Sequence, residues 1–384
     1  MIRPFRFGDI FLIQRLGRQA TKLNIVQALL HRQSAFWASL TTINPWNGAK
    51  VTTYILRQHG HGLVGDGFLQ VQKRPGRPET DVTRLAPGLD TPTGHPAIWE
   101  KLLSQYAQEA ARQQIERIYI DVPDQPLPVN TLSHVGYRTY LRQTIWRLSA
   151  HGVEDYTRGV SAEIRPQAKA DEWALKQLYR RIVPEAVQLA EGMTSDSALR
   201  PPILDWWHGG AYGNHLLIER GEVCGSIQIA QGKSSYWLQL WADYADPDLS
   251  ATHQLLRFGL GVIKRRSARL PVYTTVSDYQ GALGALLMDY GFAPVTDRAK
   301  MVKHVAQWVR VPVAAAVPAL ENVPNVVAAP FRLADGQVGS APSVPPNLAA
   351  AVLEPLRAPE TAVSGQACPR AQGGSLPMPE HSLV

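Results

Sequence analysis

Residues 235–292 read SYWLQLWADYADPDLSATHQLLRFGLGVIKRRSARLPVYTTVSDYQGALGALLMDYGF. Apolar and aromatic residues run from Tyr236 to Ala242, which predicts a buried strand. Residues 243–250 are polar and contain Pro247, which predicts a loop. Ser250 then caps a helix whose apolar positions include Leu255, Leu256, Leu260 and Ile263, and which ends in Lys264, Arg265 and Arg266. Residues 271–276 are rich in β-branched side chains and read as a second strand. Residues 280–290 form a second helix, stopped by Gly291. A parallel strand–helix–strand unit leaves a crevice at the carboxyl ends of its strands, where the following helix begins. A ligand is expected there.

Upstream, the same plan occurs earlier in the chain. Residues 2–5 read as a strand, and helical stretches follow from Asp9 and over residues 24–31. Residues 51–58, 64–72 and 81–86 form an antiparallel meander. A helix over residues 97–114, a strand over 115–122, a short helix over 129–135 and a strand over 138–148 complete the set. The second half begins with a strand at 162–166 and a helical stretch over 170–191, broken near Pro184. A hairpin of residues 215–220 and 223–231 precedes the opening stretch, and residues 292–308 form the last strand region. Ile2-Arg3-Pro4 recurs as Ile164-Arg165-Pro166, and Gly136-Tyr137 recurs as Gly291-Phe292. The tripeptide and the Gly-aromatic pair are 134 residues apart in the first copy and 127 in the second, so the chain reads as an internal duplication.

The chain has 384 residues, 45% of them hydrophobic, enough for two cores. A net charge of +7 suits an anionic ligand such as a nucleotide or a phosphate ester. No basic run is interleaved with aromatic residues, so nucleic acid is not an expected partner. No apolar run approaches the roughly 20 residues that span a bilayer, and no membrane partner is expected. The start lacks an uninterrupted signal-peptide core, which makes the expected location cytoplasmic. Cys224 and Cys368 are the two cysteines and imply neither a disulfide framework nor a zinc site. His59 and His61 sit in a glycine turn without a third ligand nearby, and no metal is expected. Lys73, Arg74 and Arg77 read as a solvated hairpin tip. Twelve of the 29 prolines lie in residues 311–384, where Lys, Trp and Tyr are absent. That composition predicts a disordered tail, with residues 348–356 as a segment able to contact a partner.

Each half resembles a domain of the GNAT N-acetyltransferase superfamily. The order strand, two helices, antiparallel meander, helix, strand, helix, strand carries the resemblance. So do Ile164-Arg165-Pro166 and the late helix 280–290 ending in Gly291-Phe292. It implies an α/β (α+β) fold of two tandem GNAT-like domains, each a mixed, mostly antiparallel sheet flanked by helices. The domains are residues 1–150 and 162–310, joined by a linker at 151–161 and followed by the tail at 311–384. The resemblance implies an acyl-CoA-dependent N-acyltransferase that uses acetyl-CoA as co-substrate and a small-molecule or peptide amine as acceptor. The alternative is a GNAT-like binding or scaffold protein without catalysis.

In the family, a loop of small residues at the start of the helix after the fourth strand surrounds the pyrophosphate with backbone N–H groups. The matching positions here are Ser250, Ala251 and Thr252, with Asp246 and Asp248 just upstream. In the first half the loop is residues 91–97, with Gly94 retained and Pro96 lacking a donor. The thioester oxygen needs a main-chain donor from the fourth strand, placed near Leu240, Trp241 or Ala242. The tyrosine that the family uses to protonate the leaving thiolate is replaced by Leu287 and Leu132. Tyr290 and His134 stand nearby, although the spacing of Tyr290 also suits packing at the helix end. Glu185, Glu191 and Asp243 are candidate bases for the attacking amine. Trp206, Trp207 and His208, like the aromatic residues over 37–46, fall where an acceptor would sit.

Overall fold

Strict alternation of side chains builds the sheet of the first half. In β3 (Val51–Leu56) and β4 (Gly67–Lys73), Tyr54, Leu56, Leu69 and Val71 face one core while Ile55 and Phe68 face the other. The first core takes α3 (Pro96–Arg112) and α4 (Pro126–His134); the second takes α1 (Ile10–Gly17). Helix α3 starts with a proline at its first position and buries Ile98, Trp99, Leu102, Leu103, Tyr106 and Ala110, a single stripe at three- and four-residue spacing. The remaining elements of this half are β1 (Ile2–Pro4), β2 (Thr21–Lys22), α2 (Ile25–Leu30), β5 (Glu79–Ala86), β6 (Arg117–Pro123) and β7 (Arg138–Leu148).

The second half repeats the order. It comprises β8 (Ile164–Pro166), α5 (Glu172–Ile182), α6 (Glu185–Ala190), β9 (Ala211–Glu219), β10 (Glu222–Gln231) and β11 (Tyr236–Ala242). It continues with α7 (Ser250–Ser267), β12 (Val272–Ser277), α8 (Gly281–Asp289) and β13 (Ala293–His304). This is the computed structural model of the chain, and it describes residues 2–30, 51–57, 65–153, 163–193, 211–244, 246, 248–267 and 269–305. All of them belong to one compact unit, Met1–Arg310. The expectations for the tail at 311–384, the His59–His61 turn and the aromatic residues over 37–46 fall outside the described residues, as does most of the linker.

The duplication reaches individual hydrogen bonds. Arg3 grips Asp9 with both guanidinium nitrogens at 2.7 Å, and Arg165 grips Asp171 at 2.8 and 2.7 Å. The Asp9 and Asp171 carboxylates also accept the main-chain N–H three residues before them. Helices α4 and α8 end alike, with Gly136 and Gly291 in the left-handed region at φ of 86° and 78°. There Tyr137 and Phe292 donate their N–H to the carbonyls of Leu132 and Leu287. The glycines are required because a Cβ disfavours that backbone conformation.

One mixed, mostly antiparallel sheet runs through both halves in the order β1-β3-β4-β5-β6-β13-β7-β12-β11-β10-β9-β8, with β2 added on β5. The last strands cross over. β7 pairs with β12, β13 pairs with β6, and the two cross-over strands pair with each other from Ala293↔Arg147 to Val302↔Arg138. Each half is therefore completed by the other's final strand.

Two seams reinforce the exchange. Around the β4–β5 turn, the fully buried Glu79 is bonded by Arg74, Arg77 and Arg117, and Arg74 also pairs with Asp81 at 2.7 Å. Arg74 stacks over the Tyr119 ring at 3.9 Å, and the Tyr119 hydroxyl donates to Ala190 O at the end of α6. Of the expected solvated tip, Lys73 is exposed, whereas Arg74 and Arg77 are drawn into an ion-pair cluster covered by the other half. Burial makes the charges of Glu79 and Asp81 hold these guanidiniums, where a solvated turn would leave them in water. At the opposite seam the β10–β11 turn receives the end of α2. Ser234 and Ser235 hydroxyls donate to Leu29 O at 2.6 and 2.9 Å, and a Cβ at Gly232 would lie 2.1 Å from Leu30 O.

Candidate active site

In the second half β11 and β12 pair in parallel only at Tyr236↔Val272 and Trp237↔Tyr273, and then part. The Tyr236 N–H donates to Pro271 O across this pair at 2.9 Å. Alternation along the strand then turns the main-chain groups of Leu240 and Ala242 into the gap and those of Trp241 toward β10. Of the three residues expected near the donor, Leu240 and Ala242 turn their main-chain groups into the gap, where the Ala242 N–H acts on the Tyr244 hydroxyl. Trp241 offers its side chain instead, on the opposite face of the sheet, packed against Tyr179 with ring centroids 5.9 Å apart. Its buried indole N–H has no partner among the described residues.

One side chain enters this gap from the loop after β11. The Tyr244 hydroxyl donates to Leu240 O at 3.0 Å. Burial first, and the neighbouring Tyr279 second, push its pKa up, so it stays a donor at neutral pH.

The first turn of α7 borders the same gap. Ser250 is exposed, Ala251 half-buried and Thr252 buried, with the Thr252 hydroxyl unpartnered among the described residues. The Asp246 carboxylate accepts the N–H groups of Ser250 at 3.3 Å and Asp248 at 3.2 Å. These are long, half-exposed bonds to a carboxylate that stands where an incoming anion would seek the same N–H groups.

Across the sheet, Glu191 ends the turn after α6 and is 9% exposed. It accepts the Tyr179 hydroxyl at 2.5 Å. Burial, and then the Glu191 charge, raise the pKa of Tyr179 far above its usual value, and the same two causes raise Tyr140 and Tyr279. Tyr279 lies two residues beyond β12 and Trp241 lies in β11, so the Glu191–Tyr179 pair stands beside the parting strands. A carboxylate held by a phenol beside parted strands has the chemistry to take a proton from an amine.

The remaining expected residues are dispersed. Tyr290 bonds His253 Nδ1 at 3.1 Å and packs on the core beneath α7 and α8, on the face away from Glu191. Asp243 is half-buried just past β11, and Glu185 is exposed at the start of α6. Leu132 and Leu287 are fully buried and donate nothing from their side chains, and His134 is exposed and paired with Glu100. Trp206, Trp207 and His208 lie outside the described residues. Tyr244 and Tyr179 went unrecognised in the sequence, where neither sits in a spaced motif. The one available signal for Tyr244 was a lone aromatic residue in an acidic loop. Among the described residues no cluster of His, Cys, Asp and Glu could hold a metal, and no helix is long and apolar enough to cross a membrane.

The first half has the same parting strands and a different filling. β5 and β6 pair over Glu79↔Arg117 to Asp81↔Tyr119 and then separate. Leu85 and Arg84 pair with β4 on one edge and with Thr21 and Lys22 of β2 on the other, so β2 occupies the gap. Leu23 N–H to Thr83 O and Gly88 N–H to Gln19 O extend that filling. The loop before α3 is bonded within itself: Gly94 N–H donates to Thr91 O, and the His95 ring accepts the N–H of Ala97. Deeper in, Arg298 of β13 bonds Asp121 of β6 at 2.8 Å, both largely buried. The edge of β5 that parts from β6 is thus paired with main chain in the first half.

No family model and no curated protein matches the sequence. Solved structures do. A tandem GNAT protein from the clavulanic acid biosynthesis pathway is similar over 80% of this chain and 99% of its own, with 11% identity and a TM-score of 0.47. A GCN5-related N-acetyltransferase from Sphaerobacter thermophilus is similar over 80% of this chain and 96% of its own, with 14% identity and a TM-score of 0.46. An acetyltransferase of the GNAT family from Colwellia psychrerythraea covers 79% and 99%, with 8% identity and a TM-score of 0.37. The tandem GNAT-like fold is assigned from the element order found twice and from the parting parallel strands in each half.

Proposed function

We propose that the protein is an acyl-CoA-dependent N-acyltransferase whose second half works and whose first half is structural. The observation that carries this reading is the pair of gaps: one filled by β2, the other closed by a single phenol with Leu240 and Ala242 facing it. Acetyl-CoA, when bound, supplies the activated acyl group. The N–H groups of Leu240 and Ala242 are the donors suited to an acyl oxygen. The first turn of α7, through Ser250, Ala251 and Thr252, is the anion seat once Asp246 swings aside. Glu191 takes the proton from the attacking amine, and Tyr179 keeps the carboxylate oriented. Trp241 and Tyr279 line the acceptor side.

Calorimetric titration of the full chain with acetyl-CoA tests this. One site per chain is expected, and Asp246→Asn should tighten it several-fold by removing a competing charge. Glu191→Gln should leave cofactor affinity unchanged and lower amine acylation by about a hundredfold. No heat at millimolar cofactor would remove the enzyme reading. The second reading, a non-catalytic scaffold, is favoured by one observation, the Asp246 carboxylate on the Ser250 N–H. An Asp246→Asn variant that still binds no cofactor would select it.

A further inference from the structure

The acyl-CoA reading leaves one side chain of the second gap without a role. Tyr244 lies two residues beyond β11 and folds back so that its hydroxyl meets Leu240 O at 3.0 Å. Its ring packs on the core under α7 and α8; the Ala242 N–H acts on the same hydroxyl from β11, and the Gln280 side chain, at the start of α8, and Tyr279 act on it from beyond β12. The phenol therefore stands between β11 and the turn that follows β12. In the first half the corresponding open edge of β5 is satisfied by the main chain of β2. An inward carbonyl on a parted strand needs a donor, because a buried polar group without one is costly. The first half supplies a peptide N–H, and the second half supplies a hydroxyl.

We infer that Tyr244 is an internal stand-in for the ligand and determines what enters the gap: the Leu240 carbonyl is reserved for a donor, and the ligand must bring an N–H to replace the phenol. This rests on the acyl-CoA reading and sharpens it. The ligand class is a chain carrying secondary amides, as the pantetheine arm does, and a purely aliphatic or ester chain would leave the carbonyl unpaired. Tyr244 is a specificity residue in this scheme and takes no part in bond making. A phenol is also easier to displace than a strand, because it moves by side-chain rotation and leaves the sheet ladder intact.

The test is calorimetric titration of the full chain with acetyl-CoA and with free CoA, comparing wild type, Tyr244→Phe and Tyr137→Phe. Phenylalanine keeps the ring and removes the competing donor. The Tyr137 hydroxyl, in the first half, is buried without a hydrogen-bond partner among the described residues and serves as control. Tyr244→Phe should bind both ligands about tenfold more tightly than the unaltered chain, with Tyr137→Phe unchanged. Equal or weaker binding by Tyr244→Phe overturns it and leaves the cofactor reading standing. An equal gain in Tyr137→Phe also overturns it. Absence of binding in all three proteins overturns both the inference and the cofactor reading.

Discussion

Between β5 and β6 the gap holds a strand, while between β11 and β12 it holds one side chain. The same contrast recurs one layer deeper. Asp121 lies across from Lys300 and reaches Arg298, two residues along β13; Thr275 lies across from Ile145 and reaches Gln143, two residues along β7. The diagonal is the same in both halves, charged in the first and neutral in the second, at 2.8 and 3.0 Å. The seams differ likewise, with Glu79 among three arginines on one side and Ser234 and Ser235 on the other. A duplicated fold has thus put ion pairs and main chain where it stays shut. It has put neutral, displaceable groups where a ligand is proposed to enter. Buried ion pairs are hard to open one partner at a time, whereas neutral hydrogen bonds exchange readily with a ligand's.

The strongest way to break this contrast is at Glu79. Glu79→Ala leaves Arg77 and Arg117 buried without their carboxylate and should cost about 4 kcal/mol of stability, read by urea unfolding of the full chain. A loss under about 1 kcal/mol would mean that the arginines find other partners. Arg298→Met comes next, leaving Asp121 buried beneath Lys22 and α2, at a cost of about 3 kcal/mol. Its neutral counterpart, Gln143→Met, should cost about 1 kcal/mol. Equal losses at the two positions would erase the difference between the diagonals.

The smallest expected effect concerns acid. At Asp9, burial pushes the pKa up, but the Arg3 bond, the Arg6 N–H and Arg57 outweigh it and the net shift is down. At Asp171 the Arg165 bond is the largest cause, and the net shift is again down. Lowered carboxylate pKa values give stability that is fully present above the ordinary value near 4 and lost as pH falls through the lowered one. Asp121 has the opposite sign: burial raises it against Arg298 and Lys300, so its contribution is lost as pH rises through its folded value. Urea midpoints should therefore fall below about pH 4, and Asp9→Asn and Asp171→Asn should each flatten the fall by a similar amount. An unchanged slope in the double variant would show that other carboxylates carry it.

Much of this was legible in the letters. The strand at Tyr236–Ala242, the helix over Ser250–Ser267, the strand at Arg138–Leu148 and the break at Pro184 follow from apolar period and proline chemistry, whereas Ser250, expected as the cap, is the first residue of its helix and Leu249 precedes it. The repeated Ile-Arg-Pro and Gly-aromatic signatures turned out to mark equivalent ion pairs and equivalent helix ends. Glu191 was within reach as a titratable group near the end of a helical stretch, but its partner Tyr179, twelve residues earlier, was not. A two-residue strand such as Thr21–Lys22 has no period to read.

By itself the sequence determined the elements, their order and their duplication, because those depend on side chains within a few residues of one another. Tertiary structure decided which strand closes which half, which gap is filled and which carboxylate meets a phenol. Those outcomes depend on edges that meet across more than a hundred residues, as β6 and β13 do. Others depend on a reversal as tight as the one that carries Tyr244 back to Leu240. Neither leaves a local pattern, since open main-chain groups take the first donor that geometry brings to them, whatever its place in the chain.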